Sequence, residues 1–222
     1  MVKRLFDFVL ASLGLLALSP CLVAVAVAIK LSSPGPIFYR GERAGLHGGL
    51  FRIFKFRTMI VDAESRGPSS TREDDPRITS VGSFLRRHKL DELPQLINVV
   101  RGDLSLVGPR PQFKWAVDLY NGEERRLLTV RPGITDYASI RFRNESEILK
   151  GSTDPDQDYM EKIHPEKVRL GLEYVRRHSL WIDLRLILAT LWLIAGGDAE
   201  TVIRIPSSRV PAVEGARHHE VA

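Results

Sequence analysis

Two adjacent carboxylates, Asp91 and Glu92, stand directly after a basic run in this chain of 222 residues. Four basic or potentially basic residues precede Leu90, and Pro94 follows the pair. Aspartate favours the position that caps a helix, and proline is tolerated in a first helical turn, so we expect Asp91 at a helix N-terminus. Free N–H groups and the helix dipole make such a terminus a phosphate site. An ionised carboxylate can attack phosphorus there and form an acyl phosphate.

The competing interpretation of this pair is structural. A helix cap beside a solvated charged face would use the same residue types, and the run taken alone favours that interpretation. Other basic residues lie at positions that suit a phosphate site, although each alone is more often a surface charge. Lys55 and Arg57 share one face if they are in a strand. Arg110 stands between two prolines that restrict its backbone, Arg77 follows Asp-Pro, and Arg131 precedes Pro-Gly.

Several chemistries are excluded by motifs that the sequence lacks. It contains no Walker A sequence, no G-x-G-x-x-G and no H-E-x-x-H, and its histidines lack metal-ligand spacing. His218 and His219 are interpreted as solvated, and the single cysteine, Cys21, rules out an internal disulfide. The net charge of +5 suits anionic lipid, nucleic acid or a phosphate-rich substrate. Nucleic acid is disfavoured because acids intersperse with the bases and no recognition helix appears.

Residues 5–29 form an apolar run whose only charge is Asp7. A straight helix of this length measures roughly 37 Å, which exceeds the roughly 30 Å hydrocarbon core of a bilayer. A cleaved signal peptide is disfavoured because the run is too long and lacks a small-x-small site. The residues leave two alternatives equally open. One is a spanning helix with a tolerated proline kink. The other is a re-entrant hairpin broken at Ser19 and Pro20, with positive charge at both ends and the Ser19 hydroxyl satisfying a freed backbone group.

The remaining pattern predicts short β elements followed by helices. A short strand is expected over residues 37–39, a loop over 41–49, a basic strand or short helix over 50–59, and a mobile loop over 62–79. Helices are expected over residues 81–101, with an interruption near Pro94, and over residues 112–130, 165–178 and 180–195. The last of these carries two tryptophans and fits an interfacial helix, with an ordinary core helix as the alternative. A disordered polar tail is expected from Pro206 onward.

The ordered motifs of the chain resemble those of the bacterial sugar transferase family, the monotopic phosphoglycosyl transferases. The resemblance covers about residues 3–195, and it is specific because several motifs follow one another in order. The motifs are K-R-L-F-D at 3–7, Ser19 with Pro20, K-F-R-T-M at 55–59, D-P-R-I-T at 75–79, L-D-E-L-P-Q-L at 90–96, G-D-L-S-L-V-G-P-R-P at 102–111 and R-P-G-I-T at 131–135.

The resemblance implies a mainly helical α+β fold. A re-entrant membrane helix would cover residues 1–31, a catalytic domain with interfacial helices would cover residues 32–200, and a tail would follow over 201–222. The implied activity is transfer of a sugar 1-phosphate from a UDP-sugar to polyprenyl phosphate. Asp91 would be the nucleophile and a magnesium ligand, and Glu92 would act as a base or position the acceptor. The basic residues that would contact phosphate or nucleotide are Lys55, Arg57, Arg77, Arg86 and Arg110, with Arg131 as a further candidate.

The resemblance also implies a monotopic protein of the bacterial inner membrane whose catalytic domain faces the cytoplasm. The chain resembles the minimal form of the family, and its oligomeric state is left open, a homodimer included. Residues 136–145 depart from the family pattern and are expected to help select the sugar. The alternative from another class is a membrane-anchored module that binds anions or lipid without catalysis, for which charge matters more than particular residues. An inactive transferase scaffold is a third alternative, and the intact carboxylate pair speaks against it.

Overall fold

The computed structural model describes residues 1–206, which form a mainly helical fold with few strands, as the sequence predicts. The α-helices in these residues are α1 (Val2–Ser32), α2 (Ser80–Arg87), α3 (Gln95–Arg101), α4 (Lys114–Asp118), α5 (Tyr137–Arg141), α6 (Glu145–Ile148), α7 (Pro155–Lys162), α8 (His164–Arg177) and α9 (Leu180–Ile194). The strands in the same residues are β1 (Phe38–Tyr39), β2 (Glu42–Ala44), β3 (Leu50–Arg52), β4 (Lys55–Phe56), β5 (Ser105–Val107) and β6 (Gly133–Thr135). The polar tail predicted after Pro206, with His218 and His219, lies outside the described residues.

The strands pair two by two. β1 pairs with β4 and β2 pairs with β3, both antiparallel. β5 and β6 pair in parallel, with Val107 opposite Thr135. Val107 belongs to the main hydrophobic core, which α5, α8 and α9 build around side chains such as Leu170 and Leu186. Ile203, which lies in the segment predicted as the tail, is buried in the same core.

α1 is a single helix that continues through Pro20. Proline supplies no N–H to the carbonyl of Leu16, four residues earlier. The Ser19 hydroxyl donates to that carbonyl at 2.8 Å, as predicted for a freed backbone group. The helix is long and apolar enough to cross a membrane, by length and composition alone. A break at Ser19 and Pro20 is not shown, and the re-entrant hairpin stays a prediction.

One face of α1 lies against the rest of the domain along its length. Ala11 is buried in a hydrophobic cluster with Val99 and Leu104, and Ile29 is buried in another with Phe56. The opposite face exposes large apolar side chains. They include Leu5, Phe8, Leu13, Leu16, Val23, Val27 and Leu31.

Both ends of α1 are fixed by hydrogen bonds to this domain. Near the N-terminus, the guanidinium of Arg4 donates to the carbonyls of Val99 at 2.5 Å and Val100 at 2.7 Å. After the C-terminus, the guanidinium of Arg57 donates to the carbonyl of Ser33 at 2.8 Å. The two ends of this long apolar helix therefore contact one body.

The helix predicted over residues 112–130 is wrong. α4 ends at Asp118, and a separate 3₁₀ turn, Glu124–Thr129, follows it. Asn121 precedes a glycine, and its Oδ1 accepts hydrogen bonds from the N–H groups of Glu123 and Glu124 at 2.9 and 3.0 Å. An asparagine side chain that bonds its own backbone in this way favours a turn over a continuing helix.

Candidate active site

Asp91 and Glu92 lie in a 3₁₀ turn, Leu90–Glu92, between α2 and α3. Just before this turn, Lys89 adopts a left-handed backbone conformation with φ of 56°. A conformation of this kind costs a non-glycine residue about 1–3 kcal/mol, and it persists only where the surrounding structure imposes it. The interruption between α2 and α3 therefore falls at His88 and Lys89 as well as near Pro94.

The prediction that Asp91 caps a helix is wrong. α3 begins only at Gln95, and its N-cap is Pro94, which provides no capping side chain. Proline fits this position because a first-turn residue needs no N–H for the helix ladder. Asp91 thus lies before the helix rather than at its terminus, and its anion site depends on nearby cations.

The carboxylate of Asp91 has one paired and one unpaired oxygen. Asp91 is 2% exposed, and its Oδ2 lies 2.9 Å from Nζ of Lys55. Its Oδ1 is buried and has no hydrogen-bond partner among the described residues. Buried polar atoms in native proteins almost always have a partner, so an exception on a charged group marks an atom available to a ligand or a reaction.

Both oxygens of the Glu92 carboxylate are paired. Nζ of Lys55 lies 3.3 Å from Oε1, and the guanidinium of Arg110 donates to Oε1 and Oε2. Burial alone would raise the pKa of Glu92, but Arg110 and Lys55 outweigh it and hold that pKa well below its usual range. Glu92 in turn raises the pKa of Arg110. Glu92 is therefore an anion that holds both cations in place.

Lys55 reaches the pair from β4, where it lies opposite Tyr39 of β1. Asn98 of α3 fixes the preceding chain, since its Oδ1 accepts from the N–H of Phe54 at 2.7 Å and its amide donates to the carbonyl of Arg52 at 3.0 Å. Asn98 is fully buried and is not among the predicted site residues. The sequence feature that could have identified Asn98 is an amide side chain at a position on the buried face of α3.

Arg110 follows the carboxyl end of β5. The N–H of Gly108 donates to the carbonyl of Thr135, and the N–H of Gly133 donates to the carbonyl of Pro109, both at 3.0 Å. A Cβ atom on either glycine would collide with the backbone of the facing strand. Only glycine permits this close approach, so the β5–β6 pair fixes the backbone on which Arg110 stands.

Arg86, in the last turn of α2, adds positive charge around the carboxylates. Burial lowers its pKa, and the charges of Asp91 and Glu92 oppose that shift. The structure thus brings two of the predicted basic residues, Lys55 and Arg110, into contact with the carboxylate pair. Arg86 interacts with the pair through charge.

Arg77 has hydrogen bonds that hold the loop over residues 62–79. Its guanidinium donates to the carboxylate of Asp75 at 2.7 Å and to the carbonyls of Ala63 and Pro68, both at 2.9 Å. The Arg77 side chain lowers the pKa of Asp75. All these partners belong to the loop or its ends, so Arg77 stabilises this segment.

Arg57 and Arg131 also bond to backbone away from the carboxylate pair. Arg57 donates to the hydroxyl of Ser33 at 2.8 Å as well as to its carbonyl, while its Nη1 is buried without a partner among the described residues. Nε of Arg131 donates to the carbonyl of Gly102 at 3.0 Å, at the end of α3. Neither arginine hydrogen-bonds to the pair.

The carboxylate pair offers candidate ligands for a metal ion. Across residues 1–206, no group of three or more His, Cys, Asp or Glu side chains is placed to hold a metal ion. Magnesium is usually bound through one or two carboxylates together with substrate phosphates and water. The unpaired Oδ1 of Asp91 is an oxygen that fits such an ion.

The family model described as bacterial sugar transferase matches residues 1–197 of this chain. The UDP-glucose:undecaprenyl-phosphate glucose-1-phosphate transferase of Escherichia coli (strain K12) is 42% identical over 200 residues, covering 86% of this chain and 40% of the relative. The UDP-N-acetylgalactosamine-undecaprenyl-phosphate N-acetylgalactosaminephosphotransferase of Aeromonas hydrophila is 35% identical over 199 residues, covering 88% and 44%. The exopolysaccharide production protein ExoY of Sinorhizobium fredii (strain NBRC 101917 / NGR234) is 36% identical over 204 residues, covering 85% and 83%. The chain thus spans less than half the length of the first two relatives.

Proposed function

The chain belongs to the bacterial sugar transferase family, and from this premise we propose that it transfers a sugar 1-phosphate from a UDP-sugar to polyprenyl phosphate and releases UMP. The polyprenyl diphospho-sugar formed would initiate assembly of a surface glycan. The names of the E. coli and A. hydrophila relatives state the same substrate classes. The observation that carries the proposal is the unpaired Oδ1 of Asp91 beside a Glu92 that two cations hold.

The proposed reaction has two steps at one phosphorus atom. In the first, Oδ1 of Asp91 attacks the sugar-linked phosphorus of the donor. The bond from phosphorus to the bridging oxygen breaks, and its electron pair leaves with UMP. In the second, an oxygen of polyprenyl phosphate attacks the same phosphorus, and the acyl phosphate bond breaks to restore the carboxylate. Neither step requires a net transfer of protons.

The surrounding residues would overcome the repulsion between a carboxylate and a diphosphate. Lys55 holds Oδ2 of Asp91, which leaves Oδ1 as the attacking atom. The cations of Lys55, Arg86 and Arg110 stabilise the charge on the transferring phosphoryl group. Glu92 orients Lys55 and Arg110, and in the second step it would position the acceptor.

Magnesium is the cofactor that we propose for this site. The Asp91 carboxylate would be a ligand of the ion, with Glu92 adjacent, and substrate phosphate oxygens and water would complete its ligands. The bound ion supplies positive charge that neutralises the diphosphate. The residues present fit this role because a carboxylate oxygen is available where the phosphates must approach.

Attachment to a membrane is a further part of the proposal, and two helices support it. α9 exposes a row of apolar side chains along one face. The row consists of Trp181, Leu184, Leu188, Leu191 and Trp192. The N-terminal ends of α1 and α9 meet, since Nζ of Lys3 lies 2.6 Å from Oδ2 of Asp183. Tryptophans on such a face favour the level of the lipid headgroups.

The topology that we propose is monotopic, with the domain on the cytoplasmic face of the inner membrane. A spanning helix separates its ends by roughly 30 Å of hydrocarbon, so a domain on one side cannot hydrogen-bond to both ends. Arg4 and Ser33, at opposite ends of α1, both bond to residues of one domain. This supports a helix whose two ends lie on the same side of the membrane. Basic residues flank both ends of the apolar run, which agrees with a cytoplasmic position for both.

The direct test is release of UMP by the purified chain in lipid nanodiscs. With a UDP-sugar and undecaprenyl phosphate, we expect continuous turnover. Without acceptor, we expect one equivalent of UMP per protein and transfer of a radiolabelled sugar to the protein, since the first step can occur once. Asp91→Asn should abolish both signals.

Robust turnover by Asp91→Asn would contradict the covalent mechanism. A chain that binds anionic lipid but releases no UMP, and in which Arg110→Lys has no effect, would be a binding module instead. Lysine keeps the charge of arginine but loses its planar fork, so this substitution separates a shaped phosphate site from a diffuse basic surface.

A further inference from the structure

A cleft adjoins Arg110 at the carboxyl edge of the parallel β5–β6 pair. Arg110 follows β5, Asp136 follows β6, and both residues line the cleft. Its unfilled volume is about 590 Å³, including the mouth that opens to solvent. Neither Asp91 nor Glu92 lines it, so it is a separate space next to the carboxylate pair. Ligands of parallel sheets typically bind at this edge, outside the carboxyl ends of the strands.

Two polar groups in the cleft are available to a ligand. Asp136 is 2% exposed, and its Oδ1 accepts from the N–H of Ser139 at 2.7 Å. Burial raises the pKa of Asp136, and the nearby Ser139 hydroxyl opposes that shift. That hydroxyl is itself buried and forms no hydrogen bond of normal geometry with the described residues. A buried hydroxyl without a partner is destabilising, and a ligand hydrogen bond would satisfy it.

The rest of the lining consists of one lysine that is neutralised by a carboxylate and of an apolar wall. Lys167 lines the cleft and forms an ion pair with Glu145. The apolar wall consists of Val117, Tyr120, Leu127, Leu128, Val130 and Val168. A few convergent polar groups on an apolar surface are typical of small-molecule sites. A hexose suits this combination, because its hydroxyls form hydrogen bonds and its C–H faces pack on apolar side chains.

We propose that this cleft receives the hexosyl group of the donor and that Ser139, together with Asp136, discriminates between sugars. The proposal rests on the proposed function, since it assigns the sugar of the same reaction. In that reaction the phosphorus stays at Asp91 with its sugar while UMP leaves. The sugar must therefore lie beside the site through both steps, and the cleft next to Arg110 lies in that position.

Charge argues against the nucleotide as the occupant. The UMP portion carries a phosphate of its own, which the buried carboxylate of Asp136 would repel, and the two cations of the lining, Arg110 and Lys167, are already paired with Glu92 and Glu145. A hexose is neutral and can donate hydrogen bonds to the same carboxylate. The polyprenyl chain is equally unsuited, because it offers no hydrogen-bonding groups to Asp136 and Ser139.

The test measures binding rather than turnover. The Asp91→Asn chain, which does not consume the donor, is titrated calorimetrically in nanodiscs with UDP, UDP-glucose and UDP-N-acetylgalactosamine. Adding Ser139→Ala to that chain should raise the Kd of the tighter UDP-sugar by about 3- to 10-fold, the range expected for one lost hydrogen bond. The Kd of UDP should stay within about 2-fold. Ser65→Ala, an exposed serine with only a local hydrogen bond to Asp62, is the matched control and should change neither Kd.

Two outcomes would overturn the assignment. An equal loss of affinity for UDP and the UDP-sugar would mean that the cleft binds the nucleotide. Unchanged affinity for both would mean that Ser139 does not contact the donor. Failure of the wild-type chain to release UMP from these sugars would count against the proposed function instead. The two failures are distinguishable because the calorimetric comparison requires no reaction.

Discussion

Two buried clusters in this chain each contain one lysine and two carboxylates, yet their hydrogen bonding differs. The anchor cluster, which joins α1 to α9, consists of Lys3, Asp7 and Asp183. The site cluster, which joins β4 to the turn before α3, consists of Lys55, Asp91 and Glu92. Composition and burial are nearly the same in both, so neither property separates a structural cluster from a reactive one.

Every carboxylate oxygen of the anchor cluster has a partner. Oδ1 and Oδ2 of Asp7 accept from the N–H of Leu106 at 3.2 Å and the hydroxyl of Ser105 at 2.8 Å. Oδ1 of Asp183 accepts from the hydroxyl of Tyr174 at 2.7 Å, and its Oδ2 pairs with Lys3. A cluster with all its hydrogen bonds made is rigid and has no atom left for chemistry.

The site cluster is open at one atom. Three of its four carboxylate oxygens are paired, and Oδ1 of Asp91 is not. The feature that distinguishes a reactive cluster from a structural one is therefore the oxygen without a hydrogen-bond partner, rather than the presence of two adjacent acids. It also predicts opposite responses to mutation, with the loss falling on stability in the anchor cluster and on activity in the site cluster.

The largest effect is expected from Asp91→Asn. Removing the attacking oxygen should lower UMP release on the order of 10⁴-fold or more, as for other enzymes that lose a nucleophile. The melting temperature should fall by no more than about 2 °C, because the substitution also removes a buried charge with an unpaired oxygen. The measurements are UMP release and thermal unfolding in nanodiscs. A large fall in melting temperature with turnover retained would erase the distinction between the clusters.

The next effect is expected from Arg110→Lys. Lysine cannot donate to both oxygens of Glu92 as the guanidinium does, so the cations around the donor phosphates are misplaced. We expect kcat/KM for the UDP-sugar to fall by about 100-fold. Arg87→Lys, at an exposed position on α2, is the matched control and should be silent. Equal activities for the two variants would mean that Arg110 contributes only its charge.

Asp7→Ala tests the anchor cluster. It removes the side-chain acceptor of the Leu106 N–H and one of the two acceptors of the Ser105 hydroxyl, and it leaves Lys3 without one of its carboxylates. We expect a loss of about 2–4 kcal/mol, which corresponds to roughly 5 to 15 °C in melting temperature. Activity per folded molecule at low temperature should stay within a few-fold of wild type. A loss of activity with an unchanged melting temperature would show that the anchor cluster takes part in the reaction.

The smallest effect concerns acid stability. In the folded chain the pKa of Glu92 is held below the value of about 4.3 that it has in the unfolded chain. The ion pairs of Glu92 therefore stabilise the fold above that pH, and this stabilisation is lost as the pH falls through the folded pKa. Melting temperature should therefore fall progressively as the pH drops below about 5. In Arg110→Gln that drop should be shallower, because the pKa of Glu92 is no longer depressed by the guanidinium. Parallel curves for both proteins would contradict the role given to Arg110.

Sequence reasoning succeeded where the signal was local. Apolar spacing predicted the helices over residues 165–178 and 180–195, which are α8 and α9. The basic run predicted a charged environment for the carboxylate pair. The prediction of one helix over residues 112–130 is wrong because the side chain of Asn121 favours a turn there. The prediction of a helix cap at Asp91 is wrong because the left-handed backbone of Lys89 ends the helical path before Asp91.

What could not be predicted depends on contacts between distant segments. Arg57, Arg77 and Arg131 look like Arg110 in sequence, each beside a turn or a strand. Only the folded chain shows that Arg110 meets the pair while the others bind backbone elsewhere. Asp7 stood out as a lone charge in an apolar run, but its partners lie about a hundred residues away, so its saturated cluster has no local pattern.

The contact between Lys3 and Asp183 also sets an order of events during synthesis. These residues are 180 positions apart, so at roughly 5 to 20 residues per second the first helix leaves the ribosome about 10 to 40 s before its last partner exists. Until Phe56, Leu85 and Val99 have been made, the face of α1 that will later meet the domain has no protein to cover it. The nascent helix must spend this time in another apolar environment, and the anchor cluster can close only when translation is nearly complete.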